Sequence, residues 1–107
     1  MMKEALRIRL ELGDRQHTLL ALSELASLHS STGNPHLAAR LLASSLALSE
    51  EAGLVIPVYQ RKWDEETLAR LQESLDHAAF AEAWGQGARL SLDEAAALAL
   101  GESDGDA

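Results

Sequence analysis

The chain has 107 residues, enough for one modest core, and 17 acidic against 9 basic residues give it a net charge of −8. This charge disfavours phosphate backbones and acidic membrane surfaces, so we expect no direct nucleic-acid binding and no membrane association. The sequence has no cysteine, which excludes disulfides and thiolate metal sites, and it has no apolar run long enough for a signal peptide or a membrane span. We therefore expect a cytoplasmic protein.

Alanine and leucine dominate the composition, whereas valine and isoleucine together occur four times. Residues that favour helices are thus abundant, and residues that favour strands are scarce. The apolar residues recur at spacings of three and four along most of the chain. The sequence predicts an all-α fold of antiparallel helix hairpins with a short C-terminal helical cap, about five to six helices in all.

The first half of the chain contains two clear helix stops. Residues 2–12 carry apolar side chains among charges, and Gly13 follows them as a helix terminator. The next run has leucines at helical spacing and ends at Gly33. Asn34 is then expected to cap the following helix through its side chain, and Pro35 suits the first helical position. A tight turn between two antiparallel helices is therefore predicted here.

The middle of the chain is predicted to be less regular. A third helix is expected over residues 35–52, followed by an extended connector over 54–62 that contains Pro57. Asp64 is expected to be the N-cap of a fourth helix over residues 65–76, since acidic residues follow it in the first turn.

The last third of the chain is predicted to form two short helices. The first begins near residue 77 and is expected to end at Gly85 or Gly87. Ser91 followed three residues later by Glu94 has the pattern of a capping box, which predicts the start of the last helix.

These elements divide the chain into four segments. Residues 1–53 are a helical repeat of one and a half hairpins, and residues 54–62 are a connector. Residues 63–101 are a C-terminal helical cap, and residues 102–107 are a flexible acidic tail.

Internal similarity supports a repeat. The segments "EALRIRLELGDR" and "SSLALSEEAGLV" align at an offset of forty residues, which pairs Leu6 with Leu46 and Gly13 with Gly53. Helical hairpins that recur in this way stack on one another, because a single hairpin cannot bury its own apolar face.

The hairpin that starts near Leu19 resembles the tetratricopeptide (TPR) repeat. The matching positions are Leu22, Leu25, Ala26, Gly33, Ala38 and Leu42. Ser45 stands where the pattern usually has alanine, and His29 stands where it usually has a large aromatic residue.

The longer arrangement is similar to the C-terminal, TPR-like region of LuxR-type and related ATP-binding bacterial transcriptional regulators, and of some cyclases and kinases. The residues that carry this resemblance are "ALRIRLELGDR", an "AF…AW" helix, a "G…G" turn and "LSLDEA". The resemblance implies a sensor or scaffold arm of a larger regulator, with a protein or the remainder of that regulator as the partner. The sequence has no phosphate-binding glycine loop with a following lysine and no basic helix-turn-helix, so ATPase and DNA-binding activity are not carried over.

Side chains that perform chemistry are present, but not at useful spacing. The four histidines form no HxxxH or HxxH pair, and the glutamate doublets point about 100° apart on a helix. The "GQG" segment follows a helix, whereas a dinucleotide-binding loop follows a strand. We therefore expect no enzymatic activity, no metal and no cofactor.

Two interaction surfaces are predicted. Leu6 and Leu10 lie on a first helix without a hairpin partner, so this apolar face is expected to be covered by a second copy of the chain or by upstream repeats. The first helix of a stacked hairpin lines a concave side, and its candidate residues here are Gln16, Ser23, Glu24 and Ser27.

A small-ligand sensor is the alternative function. Phe80 and Trp84 are four residues apart on one helical face and are candidates for a ligand pocket, although the same spacing is typical of core residues.

Overall fold

The computed structural model describes Ile8 and residues 15–101. Residues 15–101 contain five helices, which confirms the all-α prediction. We number them in chain order as α1 (Arg15–Ser31), α2 (Pro35–Glu51), α3 (Val58–Ser74), α4 (His77–Ala88) and α5 (Leu92–Leu100). Apart from Ile8, the predicted helix over 2–12 lies outside the described residues, and so does the acidic tail.

Helices α1 and α2 form the predicted antiparallel hairpin. Gly33 has a φ of 91°, a left-handed conformation that glycine adopts without steric cost, and Pro35 is the first residue of α2. The predicted side-chain cap is wrong, because the Asn34 side chain makes no capping hydrogen bond. The Asn34 backbone instead closes the turn, since its N–H donates to the His29 carbonyl oxygen.

Helix α2 is the centre of the molecule. It packs along α1 on one side and along α4 on another, and it also contacts α3 and α5. Ala38, Ala39, Leu41 and Leu42 in α2 are fully buried, and α1 contributes Leu22 to the same core. Helices α3 and α4 are neighbours in the chain but make little contact with each other, so they do not form a second close hairpin.

Helix α4 continues through the predicted stop. Its last residue is Ala88, and neither Gly85 nor Gly87 has a positive φ. A Cβ atom on Gly87 would overlap the carbonyl oxygen of Arg40, and it would lie 2.7 Å from the Arg40 Cα atom. Gly87 is therefore a helix-packing glycine that brings the backbones of α4 and α2 together.

Helix α3 begins seven residues earlier than the sequence predicted. Pro57 is its N-cap, and the Pro57 carbonyl oxygen accepts hydrogen bonds from the N–H groups of Gln60 and Arg61. The prediction that Asp64 caps this helix is wrong, because Asp64 lies inside it and is buried. The extended segment is therefore confined to residues 54–57, which we call the connector.

The last two helices have side-chain caps. Asp76 accepts a hydrogen bond of 2.7 Å from the N–H of Ala79 at the start of α4. The predicted capping box of α5 is confirmed: Ser91 Oγ accepts from the N–H of Glu94, and the Glu94 side chain accepts from the N–H of Ser91. Among the described helices, none has the length and apolarity that a membrane span requires.

Candidate functional site

A cavity of about 160 Å3 lies where the connector meets α1, α2 and α3. The first half of α1, the second half of α2, the connector and the first two turns of α3 all contribute to its wall. Its polar lining includes Gln16, His17, Ser23, Ser45, Ser49, Gln60 and Asp64. We call it the connector cavity.

Serine hydroxyls fix the α1–α2 side of the connector cavity. Ser45 Oγ donates to the carbonyl oxygen of Leu19 at 2.9 Å and lies 2.8 Å from Ser23 Oγ. Because the Ser45 proton is directed to Leu19, Ser23 is the donor in the contact between the two hydroxyls. Both serines are buried, so this part of the wall is held in place by hydrogen bonds between the two helices.

The α3 side of the cavity holds a buried polar pair. Gln60 Nε2 donates to Asp64 Oδ1 at 2.9 Å, and the two residues lie one turn apart on α3. Gln60 is 4% exposed and Asp64 is 8% exposed. Burial raises the pKa of the Asp64 carboxyl, and the hydrogen bond from Gln60 lowers it by a smaller amount. The pKa is therefore above the ordinary value of 3.8.

One acceptor of this pair is left without a partner. Gln60 Oε1 is buried and has no hydrogen bond. A buried polar atom in this state carries a desolvation cost of about 1–3 kcal/mol. Gln60 Oε1 and the Asp64 carboxylate are therefore two acceptors on side chains that line one cavity. Within the described residues, the hydrogen bond from Gln60 is the one polar contact of Asp64.

Exposed apolar side chains stand beside the cavity. Val55, Val58 and Tyr59 are 82%, 83% and 69% exposed, and Val55 and Tyr59 also line the cavity wall. We call these three residues the apolar rim. Exposed apolar residues that cluster next to a concavity are typical of binding surfaces, whereas single exposed residues are common everywhere.

The predicted concave surface on α1 is mostly a packing surface. Ser23 and Ser27 are buried, so the prediction that they lie on an exposed surface is wrong. Ser27 Oγ accepts from Trp63 Nε1 at 3.1 Å and from Arg70 Nη2 at 3.3 Å, both in α3. Helix α3 therefore packs on the α1 serines that were expected to be exposed. Gln16 is exposed and lines the connector cavity, and Glu24 is half-buried.

Phe80 and Trp84 pack together instead of facing a described cavity. Their ring centroids are 5.4 Å apart with an interplanar angle of 27°, and both rings lie against the core. Neither residue lines the connector cavity or the adjacent groove beside Leu46 and Leu68. These contacts support the core interpretation of the pair.

The other predicted interaction residues, Leu6 and Leu10, lie outside the described residues. Within the described part of the chain, no cluster of three or more histidine, cysteine or acidic residues has the geometry to hold a metal ion.

The sequence does not indicate Gln60, Asp64, Val55 or Val58 as site residues. One pattern could have indicated them: Gln60, Asp64, Thr67 and Leu71 follow a 4-3-4 spacing, which places them on one face of a helix. Three of these four residues are polar, so a search for apolar periodicity does not detect the face.

Comparison with known proteins gives no relative, since no family model, curated protein or solved structure matches the chain.

Proposed function

We propose that the chain is a non-catalytic, TPR-like protein-interaction or regulatory module of a bacterial transcriptional regulator or signalling protein. The observation that carries this proposal is the apolar rim of Val55, Val58 and Tyr59 beside the connector cavity. A protein partner would bury the rim and seat one side chain in the cavity.

The composition of this surface favours a protein partner. Tyrosine is enriched among the residues that dominate binding energy in protein interfaces, because its ring gives a large contact area at low entropic cost. Tyr59 is exposed at the start of α3, where Pro57 and the first helical hydrogen bonds hold the backbone in place. The surface is therefore organised before a partner arrives, which lowers the entropic cost of binding.

The assignment to a regulator in the cytoplasm rests on the resemblance described above and on the absence of cysteine from the sequence. We also propose that Leu6 and Leu10 mediate a homodimer. Replacing both leucines with glutamate is then expected to convert the dimer to a monomer in light scattering, and an unchanged mass would exclude this interface.

Peptide selection tests the interaction proposal. A displayed random-peptide library is selected against the full chain, and the selected peptides are measured by calorimetry against Tyr59→Ala. Leu28→Ala is the matched control, because Leu28 is an exposed apolar residue, at 47%, outside the rim and the cavity. We expect Tyr59→Ala to weaken binding about tenfold or more and Leu28→Ala to leave it unchanged. Failure to select any peptide, or equal binding by both variants, would refute the proposal.

A further inference from the structure

We propose that the connector cavity receives a basic side chain, arginine or lysine, of the protein partner, with Asp64 and Gln60 as its acceptors. This inference rests on the proposed function, and it adds the chemical identity of the residue that the partner inserts.

Asp64 and Gln60 provide the acceptors of the connector cavity. Asp64 is buried, and no cation forms an ion pair with it among the described residues. Gln60 Oε1 is buried and has no hydrogen bond, while one N–H of Gln60 Nε2 donates to Asp64. The pair therefore offers two kinds of acceptor, a carboxylate and an amide oxygen, and one of the two Nε2 N–H groups is used within the pair. A ligand that satisfies both must carry several N–H donors and a positive charge, which describes a guanidinium or an ammonium group.

The size and surroundings of the cavity fit a side chain on a larger partner. A cavity of about 150 Å3 accommodates a benzene molecule, so the 160 Å3 here suits the end of one long side chain and not a whole peptide. Arginine and lysine have apolar stems that cover apolar surface while the charged end is held elsewhere. Tyr59 and Val55 line the cavity at the apolar rim, where such a stem would lie.

The charge of the chain agrees with this choice. A net charge of −8 attracts basic partners and repels acidic ones. Burial also raises the pKa of the Asp64 carboxyl, and an approaching cation would lower it again. The free protein thus carries an unfavourable buried carboxylate that a cationic ligand would neutralise.

The first experiment uses a single residue as the probe. Acetyl-arginine amide is titrated into the full chain, and the side-chain amide resonances of Gln60 are followed by NMR. Acetyl-citrulline amide is the matched ligand control, because citrulline has nearly the shape of arginine without the charge. We expect the arginine probe to shift the Gln60 amide resonances and the citrulline probe to bind about tenfold more weakly or not at all.

Two variants locate the site on the protein. Asp64→Asn keeps a side-chain oxygen that can accept a hydrogen bond from Gln60 but removes the negative charge. We expect this variant to bind the arginine probe about tenfold or more weakly than the wild-type chain. Asp93→Asn is the control, because Asp93 is an exposed aspartate on α5 that does not line the cavity. An equal loss of affinity for the arginine probe in both variants would indicate a general charge effect and would refute the proposed site.

The second experiment uses the peptides selected against the full chain. We expect these peptides to share an arginine or lysine. Once that residue of the peptide is replaced by alanine, Asp64→Asn should no longer weaken peptide binding. Peptides that bind through Tyr59 without a shared basic residue would leave the interaction function standing and overturn this inference. Binding of acetyl-arginine amide without any selected peptide would assign the cavity to a free small cation instead of a protein side chain.

Discussion

The contact between Gly87 and Arg40 gives the sharpest test of how α4 packs on α2. In Gly87→Ala the new Cβ atom would overlap the Arg40 carbonyl oxygen and lie 2.7 Å from Arg40 Cα and 2.8 Å from its carbonyl carbon. All three atoms belong to the backbone, so no side-chain rotation relieves the overlap. The two helices must move apart at this point.

The size of the effect follows from the distances. The contact between Cβ and the Arg40 Cα atom must lengthen from 2.7 Å to the 3.4 Å of an ordinary contact. A gap of about 0.5–1 Å removes a quarter to a half of the dispersion attraction between facing atoms. Overpacking of this kind costs about 1–3 kcal/mol in protein cores, and immovable backbone atoms place this site at the upper end.

Gly85→Ala provides the matched control. Gly85 lies in the same helix, and a Cβ atom there would have no neighbour within 4 Å. Replacing glycine by alanine inside a helix stabilises it by about 0.5–1 kcal/mol, and this gain applies to both positions. We expect Gly85→Ala to raise the free energy of unfolding by that amount and Gly87→Ala to lower it by about 2 kcal/mol.

Urea and thermal unfolding, followed by far-UV circular dichroism, measure both variants. The difference of about 2.5–3 kcal/mol between them corresponds to a separation of roughly 10–24 °C in Tm for a chain of this size. If Gly87→Ala were as stable as Gly85→Ala, the backbones of α2 and α4 would not be in close contact, and the central position of α2 would be wrong.

Three further variants test the hydrogen bonds and the buried charge. Asp64→Asn is expected to raise Tm at neutral pH. The pKa of Asp64 is raised in the folded state, so the wild-type chain loses stability as pH rises from about 3.8 through that pKa. The gain in Tm from the variant should therefore vanish below about pH 3.8. A gain that is constant with pH would contradict this. Ser45→Ala should lower the free energy of unfolding by about 1–3 kcal/mol, because the buried hydroxyl of Ser23 loses its hydrogen-bond partner. Ser44→Ala removes only a bond within its own helix and should cost less. Equal losses of stability in urea unfolding would argue against the hydrogen-bonded link between α1 and α2. Ser91→Ala should cost about 1 kcal/mol through the lost capping box of α5, and unchanged unfolding would mean that the end of this helix contributes little.

The α1–α2 hairpin could be predicted because each of its determinants is local. Gly33 supplies the left-handed turn residue and Pro35 starts the next helix, and leucines at helical spacing mark the buried faces. The capping box at Ser91 and Glu94 could be predicted for the same reason, since its two hydrogen bonds lie within four residues.

The start of α3 could not be predicted from apolar periodicity. Its buried face begins with Gln60, Asp64 and Thr67, so the first half of the helix appears polar in the sequence. The sequence favours Asp64 as the N-cap because aspartate is common at that position in general. Pro57 is the actual N-cap, through its backbone carbonyl oxygen, which is a role that any residue can fill.

The candidate site depends on contacts between residues that are distant in the sequence. Gln16, Ser45 and Gln60 come from three helices, and only the packing of α3 on the hairpin brings them to one cavity. Gly87 is similar, because its requirement for glycine comes from Arg40 in another helix. No local pattern carries this information, so the sequence indicates the helices but not the site that they enclose.

The most direct test of the proposed function is the location of a bound peptide. We would measure the backbone amide shifts of the full chain by NMR while titrating the tightest peptide from the library selection. The account predicts that the largest shifts fall on the connector, the apolar rim and the first two turns of α3, over residues 54–64. Shifts centred on Phe80 and Trp84, with the connector unchanged, would contradict it.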